Sequence, residues 1–495
     1  MRRIPRHHTK HLGRLCRPPT GTGSGADVRT ITRVAADHRR NLGRSPPKGK
    51  SSAGARGQEH LTDTAPVLYN RRMALIPATT RAKPATHYAR RVDSRQMAAA
   101  LSAPHATVAP PDEVDLYPKA GAALNAMERM TCVSVFSGGM GLDLGLEQAG
   151  FSVRFAADNM PAAVETARIN RPGLPVYGED IRSLTASQVR ELAQLDDREI
   201  DLLAGGPPCQ SFSTAGKRLG LDDDAIGPLV FEFVRLVDEL RPRAFLMENV
   251  KGLTSASVKW RQLPYNNNGK IVDQWHGSLL RELIDRLKAI GYSLALREIN
   301  SADYGVPQTR VRIFIIGYRD GTNVTFPDPT HARDEGLFLE SWRTIKDALS
   351  GLGDDDSHCA KFSERKLRYL RMVPPGGNWR DLPESIQQES MGRAFYAKGG
   401  RSGFWRRLSF DEPAPTILTE PQNASTALCH PTLDRPLTVR ECARIQTFPD
   451  DWTFCGRGSD QYRLIGNAVP PLLAKSLGLH IRQVIERQDA RAIAS

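Results

Sequence analysis

The chain has 495 residues, enough for two or three domains, and carries a formal net charge of +13. No run of about 18 apolar residues occurs, so no membrane-spanning helix is expected. The seven cysteines are widely spaced and include no Cys-x-x-Cys pair. They therefore predict neither a disulfide framework nor a metal site, and they fit a reducing cytoplasm.

The positive charge is concentrated near the N-terminus. Residues 1–100 contain 21 Lys and Arg against 5 Asp and Glu, a net of +16, which leaves 47 minus 50, a net of −3, for the remainder. Residues 1–126 are rich in Arg, Pro, Gly, Ser, Thr and Ala and show little apolar periodicity, which predicts a disordered basic tail. A transit peptide, or upstream sequence translated from an early start codon, is the alternative for this segment.

Order is expected from Thr131, where short apolar strands begin to alternate with helices. Strands are predicted at 132–136, 151–157, 176–181, 201–204, 244–247 and 311–317. Helices are predicted after Pro228 and around 280–290, each with an apolar stripe at helical spacing. This alternation is typical of an α/β fold whose largely parallel sheet is covered on both faces.

The alternation stops between about residues 318 and 436, where glycines, prolines and charges dominate. Here residues 361–410 contain 11 Lys and Arg against 4 acids, a net of +7. Such a strip is either a phosphate-facing surface or a solvated basic face. The helical pattern resumes with a capping box from Thr438 to Glu441. The predicted domains are therefore 131–317, an irregular domain at 318–436, and 437–495 returning to the first domain.

A glycine-rich turn lies between the first predicted strand and a helix, with the sequence Phe136-Ser137-Gly138-Gly139-Met140-Gly141. Glycines there let a ligand approach the backbone. Asp158 ends the next strand, where a carboxylate can accept from ribose hydroxyls, and Asp180 follows the third strand. Because the turn does not match Gly-x-Gly-x-x-Gly, the dinucleotide interpretation is weakened, and an adenosine cofactor of either the nicotinamide or the S-adenosylmethionine type is predicted.

Three further strand ends carry side chains suited to chemistry: Cys209 after Gly206-Pro207-Pro208, Glu248 before Asn249-Val250, and Arg312 together with Arg310. On a parallel sheet these ends lie on one edge, beside the cofactor turn. A thiol can add covalently to a planar electrophile. A carboxyl can exchange a proton with its ring nitrogen, and a guanidinium can donate hydrogen bonds to its carbonyl oxygen. Taken singly, each residue also has a structural explanation, such as a small buried cysteine or a surface ion pair.

Taken together, these segments resemble the DNA (cytosine-5)-methyltransferase family over about residues 131–480. The resemblance rests on eight blocks in family order: 136–141, Asp158, Asp180-Ile181, Gly206-Pro207-Pro208-Cys209-Gln210, Glu248-Asn249-Val250, 308–312, Arg440-Glu441 with Arg444-Ile445-Gln446-Thr447-Phe448-Pro449, and Gln461-Tyr462-Arg463 with Gly466-Asn467-Ala468-Val469-Pro470. It implies an α/β, Rossmann-like fold of the S-adenosylmethionine-dependent methyltransferases with a mostly parallel sheet. The irregular region 318–436 then has the position of a target-recognition domain.

The resemblance also implies a reaction, the transfer of a methyl group from S-adenosylmethionine to carbon 5 of cytosine in a specific double-stranded DNA sequence. The Cys209 thiolate would add to C6 while Glu248 hydrogen-bonds N3 and the exocyclic amine, and Arg312 would hold O2. C5 would then attack the sulfonium methyl, and a base would remove the C5 proton so that the cysteine leaves. A cytosine inside a duplex is out of reach, so the target base is expected to flip out.

For the cofactor, the resemblance assigns Asp158 to the ribose hydroxyls and Asp180 to the adenine amine. The implied cofactor residues are Phe136, Ser137, Gly138, Gly139, Gly141, Asp158, Asp180, Ile181, Pro207 and Asn467. Two positions depart from the family pattern. Asp158 stands where Glu is often found, and Met140 stands where two adjacent glycines are usual, so a side chain at position 140 could alter cofactor affinity.

The implied DNA contacts are Gln210, Ser213, Arg401, Arg406, Arg407 and Thr416. For any single arginine, phosphate contact is favoured over base reading, since phosphate contacts are the majority class. The expected partner is double-stranded DNA. A cognate restriction endonuclease is expected to act on the same site without direct contact. We expect a cytoplasmic, DNA-associated monomer with no membrane partner.

Two other functions fit parts of the sequence. One is methylation of tRNA cytosine by the family's RNA branch, but the Cys-Phe-Thr block usual in that branch is absent and the recognition region is long. The other is a DNA-binding regulator that keeps the fold without turnover. The presence of Cys209, Glu248 and Arg312 argues against it, because a protein that only binds DNA has no need for all three.

Overall fold

The computed structural model describes residues 130–208, 229–256, 277–334, 336, 338–353, 359–396 and 403–494. The predicted tail, residues 1–126, lies outside these residues. So do four predicted site residues, Cys209, Gln210, Ser213 and Arg401. The described part of the chain alternates strands and helices up to residue 318, as the sequence pattern predicts.

The secondary structure is numbered in chain order within the described residues. The strands are β1 (Met130–Val135), β2 (Phe151–Ala157), β3 (Val176–Tyr177), β4 (Leu202–Gly205), β5 (Ala244–Val250), β6 (Ser293–Asn300), β7 (Gln308–Thr309), β8 (Val311–Tyr318), β9 (His331–Ala332), β10 (Glu340–Ser341) and β11 (Ala414–Pro415). The helices are α1 (Gly141–Gln148), α2 (Pro161–Asn170), α3 (Ala186–Leu192), α4 (Leu229–Leu240), α5 (Ser278–Ala289), α6 (Ile345–Leu349), α7 (Glu364–Leu370), α8 (Glu384–Met391), α9 (Val439–Ile445), α10 (Gly458–Asn467) and α11 (Pro471–Ala494).

A sheet of seven described strands has the order β3-β2-β1-β4-β5-β8-β6. The pairs from β3 to β5 are all parallel, whereas β8 is antiparallel to both β5 and β6. The strand order reverses at β1, where β2 lies on one side and β4 on the other. This is the place where open α/β sheets bind their ligands, outside the carboxyl ends of the strands.

Arg312 lies at the start of β8, and the antiparallel direction of β8 brings it to the carboxyl ends of the parallel strands. On an all-parallel sheet, a residue at the start of a strand would lie at the opposite edge from the end of β5. Because β8 runs antiparallel, Arg312 pairs with Val250 and so lies beside the carboxyl end of β5. The expectation that Arg312 shares an edge with Glu248 is met, but through an antiparallel strand.

Helices cover both faces of this sheet because the strand residues alternate. On β5, Phe245 and Met247 pack into one apolar cluster with α4 and α5, and Ala244 and Leu246 pack into another with α1 and α11. The predicted stripe of α4 is buried along its whole length, from Val230 to Leu240. Glu248 follows Ala244 and Leu246 at every second position, so its side chain lies on the same sheet face, which α1 and α11 cover.

Two glycines allow α11 to pack closely on α1. A Cβ at Gly145 would lie 2.3 Å from the Pro471 carbonyl oxygen, and one at Gly478 would lie 2.7 Å from the Ala149 Cβ. The C-terminal segment therefore returns to the sheet. Among the described helices, including the 24-residue α11, none has the length and apolar character needed to cross a membrane.

The region that follows β8 is built from short elements around a separate apolar cluster. Its described members include Tyr369, Trp379 and Trp405, all almost fully buried. Residues 414–419 lie outside this cluster. β11 lies parallel to β7, and Ala414 and Ile417 pack in another apolar cluster with residues of α9 and α10. The boundaries of the predicted domains remain a prediction.

Candidate functional site

A cavity of about 360 Å³ lies at the sheet edge formed by the carboxyl ends of β1 to β5 and the start of β8. Every predicted catalytic or cofactor residue within the described chain lines it. These residues are Phe136, Ser137, Gly138, Gly139, Gly141, Asp158, Asp180, Ile181, Pro207, Glu248, Arg310, Arg312 and Asn467. One cavity therefore brings together residues that span more than 300 positions of sequence.

The glycine turn after β1 is held against the end of β2 by a carboxylate. The Gly138 backbone N–H donates to Asp158 Oδ2 at 2.9 Å, and the Met160 N–H donates to Oδ1 at 2.8 Å. Burial raises the pKa of Asp158, and these two hydrogen bonds offset part of that effect. Each carboxylate oxygen keeps a second lone pair, which can accept from a hydroxyl of a ligand in the cavity.

Glycine is required in this turn for two different reasons. Gly138 has a φ of +54°, and a Cβ on it would meet nothing within 4 Å, so its place is set by backbone conformation. At Gly141 a Cβ would lie only 2.3 Å from the Val469 carbonyl oxygen, so this place is set by close packing against the C-terminal segment. The turn thus presents bare backbone to the cavity.

Asp180 lines the cavity and already accepts hydrogen bonds from Arg182. Its carboxylate accepts from the backbone N–H of Arg182 at 3.0 Å and forms an ion pair with the Arg182 guanidinium. These contacts lower the pKa of Asp180 and keep it ionised. Arg182 places two donors on each carboxylate oxygen, so an amine such as that of adenine would share these oxygens with Arg182. The buried Ile181 offers apolar contact beside them.

Glu248 and Arg312 form an ion pair at the sheet edge. Arg312 Nε lies 3.1 Å from Glu248 Oε1, and the two side chains are only 16% and 10% exposed. Burial raises the pKa of the Glu248 carboxyl above its ordinary value, although the Arg312 and Arg310 charges offset part of the rise. Burial therefore favours the protonated form of Glu248, which is the form that can donate a hydrogen bond.

The loop after β4 is shaped around this carboxyl. A Cβ at Gly206 would lie 3.1 Å from Glu248 Oε2, so glycine leaves the carboxyl the space it occupies. The Asn249 side-chain amide donates to the Pro207 carbonyl at 3.3 Å, which ties the end of β5 to the loop. Cys209, the next residue but one, lies outside the described residues, while Pro207 and Pro208 line the cavity.

Arg310 is buried to 1% exposure beside the same cavity. Its guanidinium donates to the Ile417 carbonyl at 3.4 Å, which connects the cavity wall to the segment 414–419 of the irregular region. Thr416 lies on that segment, and its hydroxyl donates to the Thr309 carbonyl at 3.1 Å. Both side chains therefore have partners within the protein.

The structure argues against Arg407 as a DNA contact. Only 5% of it is exposed. Its guanidinium donates to the carbonyls of Leu370, Val373, His430 and Leu433 and to the carboxylate of Asp434. These bonds use the donors of the side chain to join separate loops of the region, so we remove Arg407 from the proposed DNA contacts. Arg406 is half-buried, and burial lowers its pKa.

The cavity also includes residues that the sequence analysis did not select, among them Ser134, Asp143, Arg182 and Arg463. Asp143 is fully buried in the first turn of α1, and burial raises its pKa to about 7. In the sequence it reads as an ordinary acid at a helix N-terminus. Arg463 stands inside the Gln461-Tyr462-Arg463 block, and that block was the only signal for it.

Met140 does not line the cavity. It is fully buried in an apolar cluster with Leu144, Ala163 and Phe448, and its backbone is left-handed, with a φ of +61°. A non-glycine residue in that conformation is strained. The Met140 side chain therefore contributes to packing beneath the turn and does not contact the cavity.

Comparison with known proteins agrees with this geometry. Residues 130–483 match the family model described as C-5 cytosine-specific DNA methylase. The chain belongs to this family. It is 40% identical over 373 residues to the type II methyltransferase M.PspPI of Psychrobacter sp., covering 73% of this chain and 81% of that protein. It is 39% identical over 345 residues to M.Sau96I of Staphylococcus aureus, covering 69% and 73%.

A solved structure of a DNA modification methyltransferase encoded within an Escherichia coli prophage is also similar, with a TM-score of 0.50 and 25% identity, covering 72% of this chain and 99% of that one. The protein is therefore a DNA (cytosine-5)-methyltransferase with a Rossmann-like fold, and its methyl donor is S-adenosylmethionine. The residues of the cavity fit that donor: a bare backbone turn, hydrogen-bond acceptors at Asp158 and Asp180, and apolar walls.

Replacing Met140 by glycine tests which role its side chain has. We expect Met140→Gly to lower the free energy of unfolding by about 1–3 kcal/mol, because lost packing outweighs relief of the left-handed backbone. Met140→Ala, which loses packing but keeps the strain, should be less stable still. Urea unfolding measures both, and calorimetric titration should give an S-adenosylhomocysteine affinity within about two-fold of wild type. A large loss of affinity with unchanged stability would place the side chain in the cofactor site instead.

The raised pKa of Glu248 predicts how stability depends on pH. Above its folded pKa the buried carboxylate destabilises the fold, and below its unfolded pKa it is protonated in both states and the effect vanishes. Glu248→Gln mimics the protonated form, so its melting temperature should exceed that of wild type at pH 8, with the difference shrinking toward pH 5.

Scanning calorimetry at the two pH values measures the difference for Glu248→Gln. Glu298→Gln is the control, since Glu298 forms an exposed ion pair with Lys251 and should give a small change at both pH values. A Glu248→Gln variant that is less stable than wild type at pH 8 would mean that the ion pair with Arg312 outweighs the burial of the carboxylate.

Proposed function

We propose that this methyltransferase acts on a flipped-out cytosine in a specific double-stranded DNA sequence, through a covalent bond between Cys209 and C6. The observation that carries the proposal is the Glu248–Arg312 pair, which lies in the same cavity as the residues suited to the cofactor. A carboxyl able to hold a proton and a guanidinium beside it match the N3 and O2 edge of cytosine. Pro207 and Pro208 lead from that cavity directly to Cys209.

The cofactor residues would hold S-adenosylmethionine through groups of different chemistry. Asp158 accepts from the ribose hydroxyls, Asp180 accepts from the adenine amine, and the glycine turn admits the methionine part along bare backbone. When bound, S-adenosylmethionine supplies an electrophilic methyl group on its sulfonium. The apolar walls exclude water, which strengthens the polar contacts at this end of the sheet.

The chain's own residues activate the base. The Cys209 thiolate forms a bond to C6, and the electron pair of the C5–C6 double bond moves onto C5 and the ring as Glu248 donates a proton in its hydrogen bond to N3. Arg312 holds O2 and shares in stabilising the charge on the ring. C5 thereby becomes nucleophilic enough to take the methyl group.

Release reverses the addition. A base removes the C5 proton, the electron pair re-forms the C5–C6 double bond, and the Cys209 sulfur leaves as a thiolate while Glu248 regains its proton. The sum is cytosine plus methyl donor giving 5-methylcytosine, S-adenosylhomocysteine and one proton. Because the sulfur adds and leaves as a thiolate, it must lose its proton before or during its attack on C6.

Target choice is assigned to region 318–436, whose residues 361–410 carry a net charge of +7. Arg401, Arg406, Gln210, Ser213 and Thr416 remain proposed contacts to DNA, with phosphate as the favoured partner of the arginines. We propose that the enzyme acts as a monomer on DNA. Its methyl mark would protect the sequence against a cognate restriction endonuclease, in keeping with the type II names of its relatives.

Transfer of labelled methyl from S-adenosylmethionine to mixed-sequence duplex DNA tests the proposal, with tRNA as a parallel substrate. We expect label on DNA cytosine with wild type and none with Cys209→Ala. On a duplex carrying 5-fluorocytosine at the modified site, the C5 proton is replaced by fluorine, so the adduct should persist through denaturing electrophoresis. Cys209→Ala should give no such adduct.

Other outcomes contradict the proposal in distinct ways. Label on tRNA alone would move the activity to RNA. Methylated DNA from Cys209→Ala, or no lasting adduct with wild type, would exclude the covalent step. Cofactor binding without transfer to either nucleic acid would favour a DNA-binding regulator. Cleavage of the methylated duplex by an endonuclease with the same target would exclude protection.

A further inference from the structure

Two fully buried glutamines, Gln308 and Gln446, form a chain of amide hydrogen bonds across the molecule. The Gln308 Nε2 donates to the Gln446 Oε1 at 2.8 Å. At one end, the Gln308 Oε1 accepts from the backbone N–H of Ile417 at 2.9 Å. At the other, the Gln446 Nε2 donates to the carbonyls of Ile465 and Ala468, at 2.6 and 3.3 Å.

The direction of this chain is fixed by its backbone ends. The carbonyls of Ile465 and Ala468 can only accept, so the amide nitrogen of Gln446 must face them and its oxygen must face Gln308. The Ile417 N–H can only donate, so it requires the oxygen of Gln308. Both glutamines are therefore held in one orientation, and a buried amide chain of this kind is stable only when every member is satisfied.

The two ends of the chain belong to different parts of the enzyme. Ile417 lies just beyond β11, on the segment 414–419, which belongs to region 318–436. Ile465 and Ala468 flank Asn467 at the end of α10, and both Asn467 and Ala468 line the cofactor cavity. Neither glutamine lines that cavity itself. The amide hydrogen bonds thus join the proposed target-recognition region to the cofactor wall, the part of the cavity lined by Asn467 and Ala468.

A second contact follows the same path. A Cβ at Gly466 would lie 2.8 Å from the backbone of Leu418 and Thr419, so α10 and the segment 414–419 touch backbone to backbone. Such a contact transmits any displacement of one element to the other, because neither has a side chain between them that can adjust. The amide chain sets where the two elements meet along this contact.

We propose that Gln308 and Gln446 are positioning residues that hold the segment 414–419 in register with the cofactor wall at the end of α10. Loss of Gln308, which does not line the cavity, then weakens cofactor binding through Gln446. This inference rests on the proposed placement of the cofactor in the cavity. It does not depend on the covalent step at Cys209.

The test is a double-mutant cycle on the affinity for S-adenosylhomocysteine, measured by calorimetry on the full chain well below its melting temperature. Methionine has about the length of glutamine without its polar atoms, so the variants are Gln308→Met, Gln446→Met and both together. We expect each single variant to bind about three- to ten-fold more weakly. The double variant should bind about as weakly as Gln446→Met alone, because Gln308 acts through Gln446.

Gln461→Met is the control, on α10, the helix that also carries Ile465. The Gln461 amide donates to the carbonyls of Phe454 and Gly456 and takes no part in the chain, so its affinity should stay within about two-fold of wild type. Should Gln308→Met fail to fold, Gln308→Glu replaces it. That side chain keeps an acceptor for the Ile417 N–H and, when ionised, has no donor for Gln446, so the same weakening is expected.

The outcomes distinguish a positioning role of the glutamines from an effect on folding stability alone, and from a wrong placement of the cofactor. Unchanged affinity in Gln308→Met, or losses that add in the double variant, would overturn the proposal even if melting temperatures fall. Asp158→Asn in the same assay should weaken binding independently of the glutamines, because Asp158 is proposed to touch the ribose. If Asp158→Asn binds as wild type does, the placement of the cofactor is wrong, whatever the glutamine variants show.

Discussion

The buried edge between β5 and β8 constrains the rest of the site. Parallel strands deliver Glu248 at their carboxyl ends, but the guanidinium beside it comes from the start of a strand that must run the opposite way. An ion pair at such low exposure is retained only with good geometry and few unpaired atoms. The loop after β4 fits around this ion pair. Gly206 leaves space for the Glu248 carboxyl, and the Asn249 amide donates to the Pro207 carbonyl.

The cofactor side uses a complementary arrangement. There the backbone is exposed to the cavity. Asp158 accepts from the Gly138 N–H of the turn and is itself fixed by the Met160 N–H after β2. The C-terminal segment approaches so closely that Gly141 has no room for a Cβ, and the same segment supplies Asn467 to the wall. Residues more than 300 positions apart therefore meet because the last helix returns to the first. The residues proposed to hold the substrate and the methyl donor thus line one cavity.

The sequence predicted the fold class and the gathering of strand ends around one cavity, but it missed parts of the surrounding structure. Strand-end residues such as Asp158 and Glu248 follow apolar runs and glycine turns, so their edge was readable from local pattern. The strand β6 was not predicted, because its buried and exposed residues do not alternate clearly along the strand. Arg407 was misassigned because a count of charges does not reveal that its partners are carbonyls distant in sequence. Met140 was read as part of a cofactor turn, whereas its side chain packs beneath it.

The central claim is that Glu248 and Arg312 act on the cytosine as one unit. The most direct measurement is kcat/KM for DNA methylation by Glu248→Gln, Arg312→Met and the double variant. If the two side chains work as a unit, each single change should reduce kcat/KM by about a hundred-fold or more, and the double variant should lose little beyond the worse single variant. Losses that multiply in the double variant would mean that the two groups act independently, and would contradict this account.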